Sequence, residues 1–167
     1  FNVALSPSLA WTRVTHHTMA VSPDGSHLAY IANSQLHVRA IDQFESTVIA
    51  SVRDPFEVFF SPDGKWLGFY SDGKLQKVAL SGGSPVPIAP SAAPSGAHWT
   101  EDDWIVYALP TNIMRIRAGG GTAEEIVRFA HDPRTQQVAM IEGDRFEVLD
   151  ITTSPSSEYV GLRFREM

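Results

Sequence analysis

The amino-acid sequence predicts an all-β fold made of repeated antiparallel sheets of four strands each. A turn motif recurs at a nearly constant interval, and short runs rich in β-branched and aromatic residues flank its copies. No window of about twelve or more residues shows a 3.6-residue helical period free of Pro and Gly. Strands joined by tight turns are therefore expected throughout the chain.

The repeat unit is close to 40 residues long. Residues 21–30 (VSPDGSHLAY) match residues 60–69 (FSPDGKWLGF) without a gap, with their motif serines 39 positions apart. A third copy places Ile105 in the position of Leu67, 38 residues later, and a weaker fourth copy places Phe146 there, 41 residues later. A period of about 40 residues is typical of the four-stranded blades of a β-propeller.

The local chemistry of the repeat favours strands over the helical repeats that share this period. In Ser-Pro-Asp-Gly, Pro presets φ for the second turn position, Asp tolerates the third, and Gly supplies a positive φ before the next strand. Such a turn is typical of a β-hairpin with a bulge. The third copy departs from the motif, with residues 101–103 (Glu-Asp-Asp) in place of Pro-Asp-Gly.

The sequence predicts one propeller domain over residues 1–167, with the N-terminal strand 1–5 completing the last blade. Three arrangements of the blades are considered. A closed four-bladed ring, or a ring completed by a second copy in a homodimer, would cover the apolar flanks of the first and last blades. An open arc of a longer protein would leave these flanks exposed within this chain. The predicted blades are about 18–50, 56–89, 97–128 and 136–164.

Charge and composition exclude several classes of partner and chemistry. The chain has 13 Lys and Arg against 19 Asp and Glu, a formal charge of −6, which argues against nucleic acid or an anionic membrane surface. With no cysteine it has no disulfide and no thiolate chemistry, and no apolar run approaches the ~20 residues that span a bilayer. Because the sequence begins with Phe1, we expect a processed product or an excised piece.

The repeats resemble the WD40-like or TolB-like (PD40) propeller repeat, in which an apolar or aromatic residue precedes Ser-Pro-Asp-Gly and a middle strand. Residues 59–69 and 72–78 are similar to propellers on the extracytoplasmic side of bacterial serine/threonine protein kinases, and residues 142–158 are similar to the closing stretch of such domains. The resemblance implies a periplasmic or extracytoplasmic location. Relatives usually have six to eight blades, whereas four are visible in this sequence.

Familiar catalytic motifs are absent from the sequence, including the Gly-x-Ser-x-Gly elbow, the phosphate loop and His-Glu-x-x-His. Asp24 and Asp63 recur at the same repeat position, which indicates turn stabilisation and not a convergent catalytic pair. Trp66, Trp99 and Trp104 fall on strands among apolar neighbours, so packing between blades is their expected role.

The residues that lead into each innermost strand, here called the approach segments, are the candidate site, since they lie near the central channel of a propeller. Four of the six histidines fall in these segments. Neutral imidazoles gathered around an axis could ligate Zn²⁺ or Mn²⁺ with a position left open for water. The predicted metal ligands are His16, His17, His98 and His131, and the residues predicted to face a ligand in the channel are Arg53, Asp54 and Trp99.

The sequence therefore favours a non-enzymatic module, a sensor or interaction scaffold that binds a protein, peptide or small molecule without inserting into a membrane. The alternative hypothesis is a metal-dependent hydrolase or lyase with a His-ligated ion at the channel mouth. The resemblance supports it, because some relatives with this repeat are metal-dependent lyases acting on pectin fragments. A third possibility is a propeller that docks onto a separate catalytic domain, as in oligopeptidases that resemble this fold.

Overall fold

The computed structural model describes residues 17–49, 51–131, 138–140, 146–153 and 160–166, with side chains described within 17–49 and 51–128. These ranges consist of strands, turns and irregular segments, as the sequence predicts. In this part of the chain, no helix is long and apolar enough to cross a membrane.

The first two repeats form complete four-stranded antiparallel sheets. Each sheet is a meander in which consecutive strands pair through tight turns. Blade 1 consists of β1 (Met19–Val21), β2 (His27–Ala32), β3 (Gln35–Ala40) and β4 (Thr47–Val48). Blade 2 consists of β5 (Phe56–Phe60), β6 (Trp66–Ser71), β7 (Lys74–Ala79) and β8 (Val86–Pro90). Both sheets confirm the predicted fold class of four-stranded antiparallel sheets.

The third repeat follows the same plan. Its strands β9 (Ala97–Trp99), β10 (Trp104–Leu109) and β11 (Asn112–Arg117) pair in sequence order, and β12 (Glu124–His131) follows. Arg115 Nε in β11 donates a 2.8 Å hydrogen bond to Glu124 Oε2 at the start of β12. We call this sheet blade 3.

The chain divides into two compact units, Phe1–Glu125 and Ile126–Met167. In the second unit, β12 pairs with β13 (Val138–Met140), and β14 (Phe146–Thr153) pairs with β15 (Val160–Glu166) in a separate two-stranded sheet. Three strands were expected to form one sheet over 136–164, but β13 pairs with β12 instead, and β14 and β15 form a sheet of their own. Strand 1–5, predicted to complete the last blade, lies outside the described residues.

Two apolar cores hold the three blades together, because alternate residues of each strand point to opposite faces of the sheet. The core between blades 1 and 2 contains Ile31, Leu36, Phe60, Leu67 and Phe69. The core between blades 2 and 3 contains Phe59, Leu75, Trp99, Ile105 and Ile116, with Trp66 packed against it. Neighbouring residues of β5 thus enter different cores, and β5 lies against both β1 and β9. Face-to-face packing of successive sheets is the propeller arrangement that the sequence predicts.

The Ser-Pro-Asp-Gly turns form as expected. In blade 1, Gly25 N donates to Ser22 O at 2.8 Å, Ser22 Oγ donates to Asp24 Oδ1 at 2.6 Å, and Gly25 has a φ of 72°. In blade 2, Ser61 Oγ donates to Asp63 Oδ1 at 2.6 Å. The recurring carboxylates therefore stabilise turns, which confirms the structural role predicted for them.

Candidate functional site

The approach segments of the first two blades lie at the end of the sheets opposite the Ser-Pro-Asp-Gly turns, because strand direction alternates within each antiparallel blade. We call this end of the blades the approach face. Asp54 N donates a 3.1 Å hydrogen bond to Ser34 O, in the hairpin between β2 and β3 of blade 1. Ser71 Oγ, at the end of β6, donates a 2.5 Å hydrogen bond to Arg53 O. The approach segment of blade 2 is therefore hydrogen-bonded both to the β2–β3 hairpin of blade 1 and to the end of β6 in its own blade.

A histidine and a glutamate from different blades meet at this face. The main-chain N of His17, just before β1, donates a 2.9 Å hydrogen bond to Glu57 Oε1 in β5. The imidazole Nδ1 of His17 lies 3.2 Å from Glu57 Oε2. The side chain of His17 is 71% exposed, whereas that of Glu57 is 2% exposed. A buried carboxylate thus bonds the backbone of an exposed histidine through Oε1 and places Oε2 within ion-pair distance of its ring.

The backbone of blade 2 is distorted where it supplies this carboxylate. The pairing of β5 with β6 shifts register between Phe56 and Phe59, and Glu57 in that bulge has a φ of 54°. Asp54, three residues earlier, has a φ of 41°. A positive φ is costly for a residue with a side chain, and bulges near functional sites often redirect one. The bulge is what places a glutamate of the core strand against the approach segment of the preceding blade.

Blade 3 also reaches this position. A Cβ built on Gly96, in the approach segment of β9, would lie 3.9 Å from His17 Cε1. The imidazole therefore stands where segments of three blades converge: its own, the bulged β5 and the segment before β9. This convergence makes His17 and Glu57 the candidate site.

The structure places the three residues predicted to face a ligand in different surroundings. Arg53 and Asp54 are exposed, lie four and three residues before Glu57 in sequence, and belong to the approach face. Trp99 is 5% exposed in the core between blades 2 and 3, its ring edge-to-face with Phe59 at 6.5 Å. Its indole Nε1 donates a 2.9 Å hydrogen bond to Asp103 Oδ1. The packing between blades expected of the tryptophans is therefore observed at Trp99, and ligand contact there remains a prediction.

The predicted metal ligands are only partly within the described residues. His17 takes part in the site above, and His98 is exposed on β9. His16 and the side chain of His131 lie outside the described residues. Among the described side chains, no three His, Asp or Glu come close enough together to hold a metal ion. Zn²⁺ or Mn²⁺ binding by this set remains a prediction.

Sequence reasoning missed Glu57. The signal was present, since Glu57 is the one charged residue in the apolar run Phe56–Phe60. A lone carboxylate in a strand that is buried on both faces needs a partner, because an unpaired buried charge is costly. What the sequence did not indicate was the bulge, which brings that carboxylate to His17 across a separation of 40 residues.

A groove of about 750 Å³ lies away from this site, at the turn end of blades 1 and 2. Apolar residues of blade 1 line one side, and the turn after β7 lines the other, where Ser51 Oγ donates a 2.6 Å hydrogen bond to Gly83 O. His27 is its one ionisable lining residue. Without an oriented or buried polar pair comparable to His17 and Glu57, this groove ranks second as a candidate site.

No family model matches this sequence, and no curated protein matches it. Solved structures do. TolB from Acinetobacter baumannii superposes with a TM-score of 0.61 at 18% identity, over 89% of this chain and 40% of that one. The nidogen/laminin complex gives a TM-score of 0.57 at 10% identity, over 74% of this chain and 55% of that one.

The mitotic checkpoint complex gives a TM-score of 0.57 at 11% identity, over 99% of this chain and 51% of that one. These neighbours are TolB-like and WD40-like β-propeller proteins, so the likeness confirms the β-propeller fold of the blades. The chain spans about two fifths of the TolB chain and about half of the other two.

Proposed function

We propose that this chain is a non-enzymatic interaction module that binds a protein or peptide at its approach face. The observation that carries the proposal is the His17–Glu57 pair. Burying a carboxylate in a core strand and holding its backbone at a positive φ both cost free energy. Their result is a buried carboxylate within 3.2 Å of the ring of a histidine that is 71% exposed, where three blades converge. Fold stability alone does not require a buried carboxylate beside an exposed imidazole.

The neighbouring structures support a protein partner at the level of the fold. Two of them are complexes, one of nidogen with laminin and one of the mitotic checkpoint. Rigid strands that present loops and segment ends at one face are a common basis for such recognition. Arg53 and Asp54, on the approach segment that leads to Glu57, add one exposed charge of each sign to this face, which suits hydrogen-bonded recognition of a polypeptide.

An array of short peptides probed with the purified protein tests this proposal. We expect a set of peptides to bind the wild type and to lose binding in His17→Ala and Arg53→Ala. Lys65→Ala is the matched control, because Lys65 is exposed on the opposite, turn end of blade 2. Peptide binding that Lys65→Ala abolishes and His17→Ala leaves intact would contradict the proposed face.

Location and assembly form part of the proposal. The resemblance to extracytoplasmic propellers and the TolB neighbour support a periplasmic or extracytoplasmic site of action. A second copy of the chain could complete the ring as a homodimer. Light scattering separates a monomer of 18.3 kDa from a dimer of twice that mass.

A metal-dependent hydrolase or lyase is the second candidate function, and one observation favours it. Histidines that ligate metals commonly have a carboxylate behind their other ring nitrogen, as Glu57 stands behind Nδ1 of His17. Elemental analysis of protein purified without a His tag tests it. One equivalent of a transition metal that is lost in His17→Ala and in His98→Ala/His131→Ala would support the metal site, and metal-free protein would count against it.

A further inference from the structure

The two ring nitrogens of His17 have different surroundings. Nδ1 lies 3.2 Å from the buried Oε2 of Glu57, and the same residue's main-chain N is bonded to Oε1. The edge of the ring at Cε1 is turned toward the segment that carries Gly96. The side chain as a whole is 71% exposed, and Nε2 is the ring nitrogen that lies away from Glu57.

We infer that His17 is the specificity-determining contact of the approach face and that Glu57 is its positioning residue. A lone pair on Nδ1 would lie about 3.2 Å from a carboxylate oxygen, which is repulsive, whereas a proton on Nδ1 would be attracted to it. We therefore place the proton of the neutral imidazole on Nδ1. Nε2 then presents a lone pair outward. This inference rests on the proposed function, since it specifies the chemical group that the bound peptide offers.

The ligand group that fits such a nitrogen is a hydrogen-bond donor. An amide N–H, a hydroxyl O–H or an ammonium group of the peptide can donate to Nε2. A carboxylate or phosphate cannot, because it has no proton to give and its charge faces that of Glu57 behind the ring. Specificity of this kind comes from the penalty on the wrong group as well as from the bond to the right one.

The structure also explains why Glu57 can position the ring. Its carboxylate is 2% exposed and bonded to the His17 backbone, and its own backbone is part of the β5 bulge. Rotating the imidazole by half a turn would remove Nδ1 from Oε2. The carboxylate therefore selects both the tautomer and the rotamer of a side chain that is otherwise in solvent.

The tautomer is measured by ¹⁵N NMR of the imidazole at about pH 8, where an ordinary histidine is neutral. We expect a protonated Nδ1 and an unprotonated Nε2 in the wild type. In Glu57→Gln, a nearly isosteric change, the His17 signal should move toward the Nε2-protonated form that free histidine prefers. A wild-type protein with the proton on Nε2 would overturn the inference whether or not any peptide binds. Urea unfolding of the variant confirms that the fold is retained.

The donor preference is measured on peptides that bind in the array. Replacing the donor residue of such a peptide should weaken binding about tenfold, the effect of one hydrogen bond. His17→Gln, which can place its carbonyl oxygen near the position of Nε2, should restore part of the binding that His17→Ala loses, and His17→Asn should not. Binding peptides whose essential group at this site is a carboxylate would overturn the donor assignment.

These outcomes distinguish the two claims. Absence of any peptide that depends on His17 or Arg53 would refute the interaction module, and the donor assignment with it, while leaving the tautomer result to stand by itself. Binding that depends on His17 but is indifferent to Glu57→Gln would retain the module and overturn the positioning role of Glu57.

Discussion

The carboxylate of Asp103 accepts a 2.9 Å hydrogen bond from the indole Nε1 of Trp99, across the turn that links the two inner strands of blade 3. Asp103 has a φ of 67°, the conformation that Gly25 and Gly64 adopt in the first two blades. Thr100 Oγ1 donates to Asp102 Oδ1 at 2.5 Å, as the motif serines do in the earlier turns. Blade 3 thus forms the same turn with different residues. Asp103 takes the positive-φ position that glycine has in the first two blades, and its side chain accepts a hydrogen bond from a core tryptophan.

Replacing Asp103 by Ala should destabilise the protein by about 1–3 kcal/mol. Alanine tolerates a positive φ poorly, and the indole N–H loses its acceptor. Asp103→Asn should be close to neutral, since asparagine accepts this conformation and can keep the bond to Trp99. Urea unfolding measures both, and equal stability of the alanine and asparagine variants would contradict this account of the turn.

A methyl group at Gly68 should be poorly tolerated. A Cβ there would lie 2.2 Å from the ring carbons Cε2 and Cζ of Phe59, which pairs with Gly68 across the sheet. The corresponding pair in blade 1 is Ala20 and Ala29. Blade 1 thus has two small side chains at this position, whereas blade 2 has a phenylalanine opposite a glycine. Gly68→Ala should cost about 1–3 kcal/mol through overpacking of the core.

The double variant Phe59→Leu/Gly68→Ala checks that explanation. Removing the ring should make the added methyl group much less harmful, so the two changes should be strongly non-additive in urea unfolding. Additive losses would show that the cost at Gly68 arises from its backbone instead of from the contact with Phe59.

The repeat in the sequence predicts strands and turns, but it does not predict how side chains of neighbouring blades pack. The sequence predicted antiparallel sheets of four strands, which blades 1 and 2 form, because turn residues fix hairpin register and alternation fixes which residues face inward. It placed Trp99 on the correct strand, but only the packing of blade 3 against blade 2 shows that its ring lies beside Phe59.

The candidate site was predicted less completely, since it depends on a departure from the repeat. His17 was expected near the axis because approach segments lie there. Glu57 was not, because its contact with His17 requires a bulge that no periodicity in the sequence encodes. Such local irregularities are set by tertiary contacts, and functional groups tend to be found at them.

Stability should fall on mild acidification through His37. Burial lowers the pKa of His37 below its ordinary value of 6.5, with the Ala32 backbone acting weakly in the other direction. The unfolded chain therefore takes up the proton first, and the contribution of neutral His37 is present above about pH 6.5 and lost as pH falls below it. His37→Phe keeps a flat ring stacked on Tyr30 and should show a smaller loss of unfolding free energy from about pH 8 to about pH 5. An unchanged slope would contradict this assignment.

A second loss should appear at lower pH through Asp24. Hydrogen bonds from Ser22 and then Ser26 lower the pKa of Asp24 from 3.8 to about 2. Since the folded pKa is the lower one, this stabilisation is present above about pH 3.8 and disappears as pH falls through about 2. The wild type should exceed Asp24→Asn in unfolding free energy near neutral pH, and the difference should shrink across that window. Glu101→Gln, an exposed change in the third turn, controls for general loss of negative charge.

The positive charge of Lys77 should stabilise the packing of blade 2 against blade 3. Its Nζ lies 5.0 Å from the ring centroid of Trp66 in its own blade and 5.6 Å from that of Trp99 in the next. Lys77→Met keeps an unbranched apolar chain but removes the cation, so we expect a loss of about 0.5–2 kcal/mol from the two cation–π contacts. Lys77→Arg should retain most of this stability, because a guanidinium also binds aromatic faces. Urea unfolding followed by tryptophan fluorescence reports on both rings, and a methionine variant as stable as the wild type would show that the two contacts contribute nothing measurable to the interface between these blades.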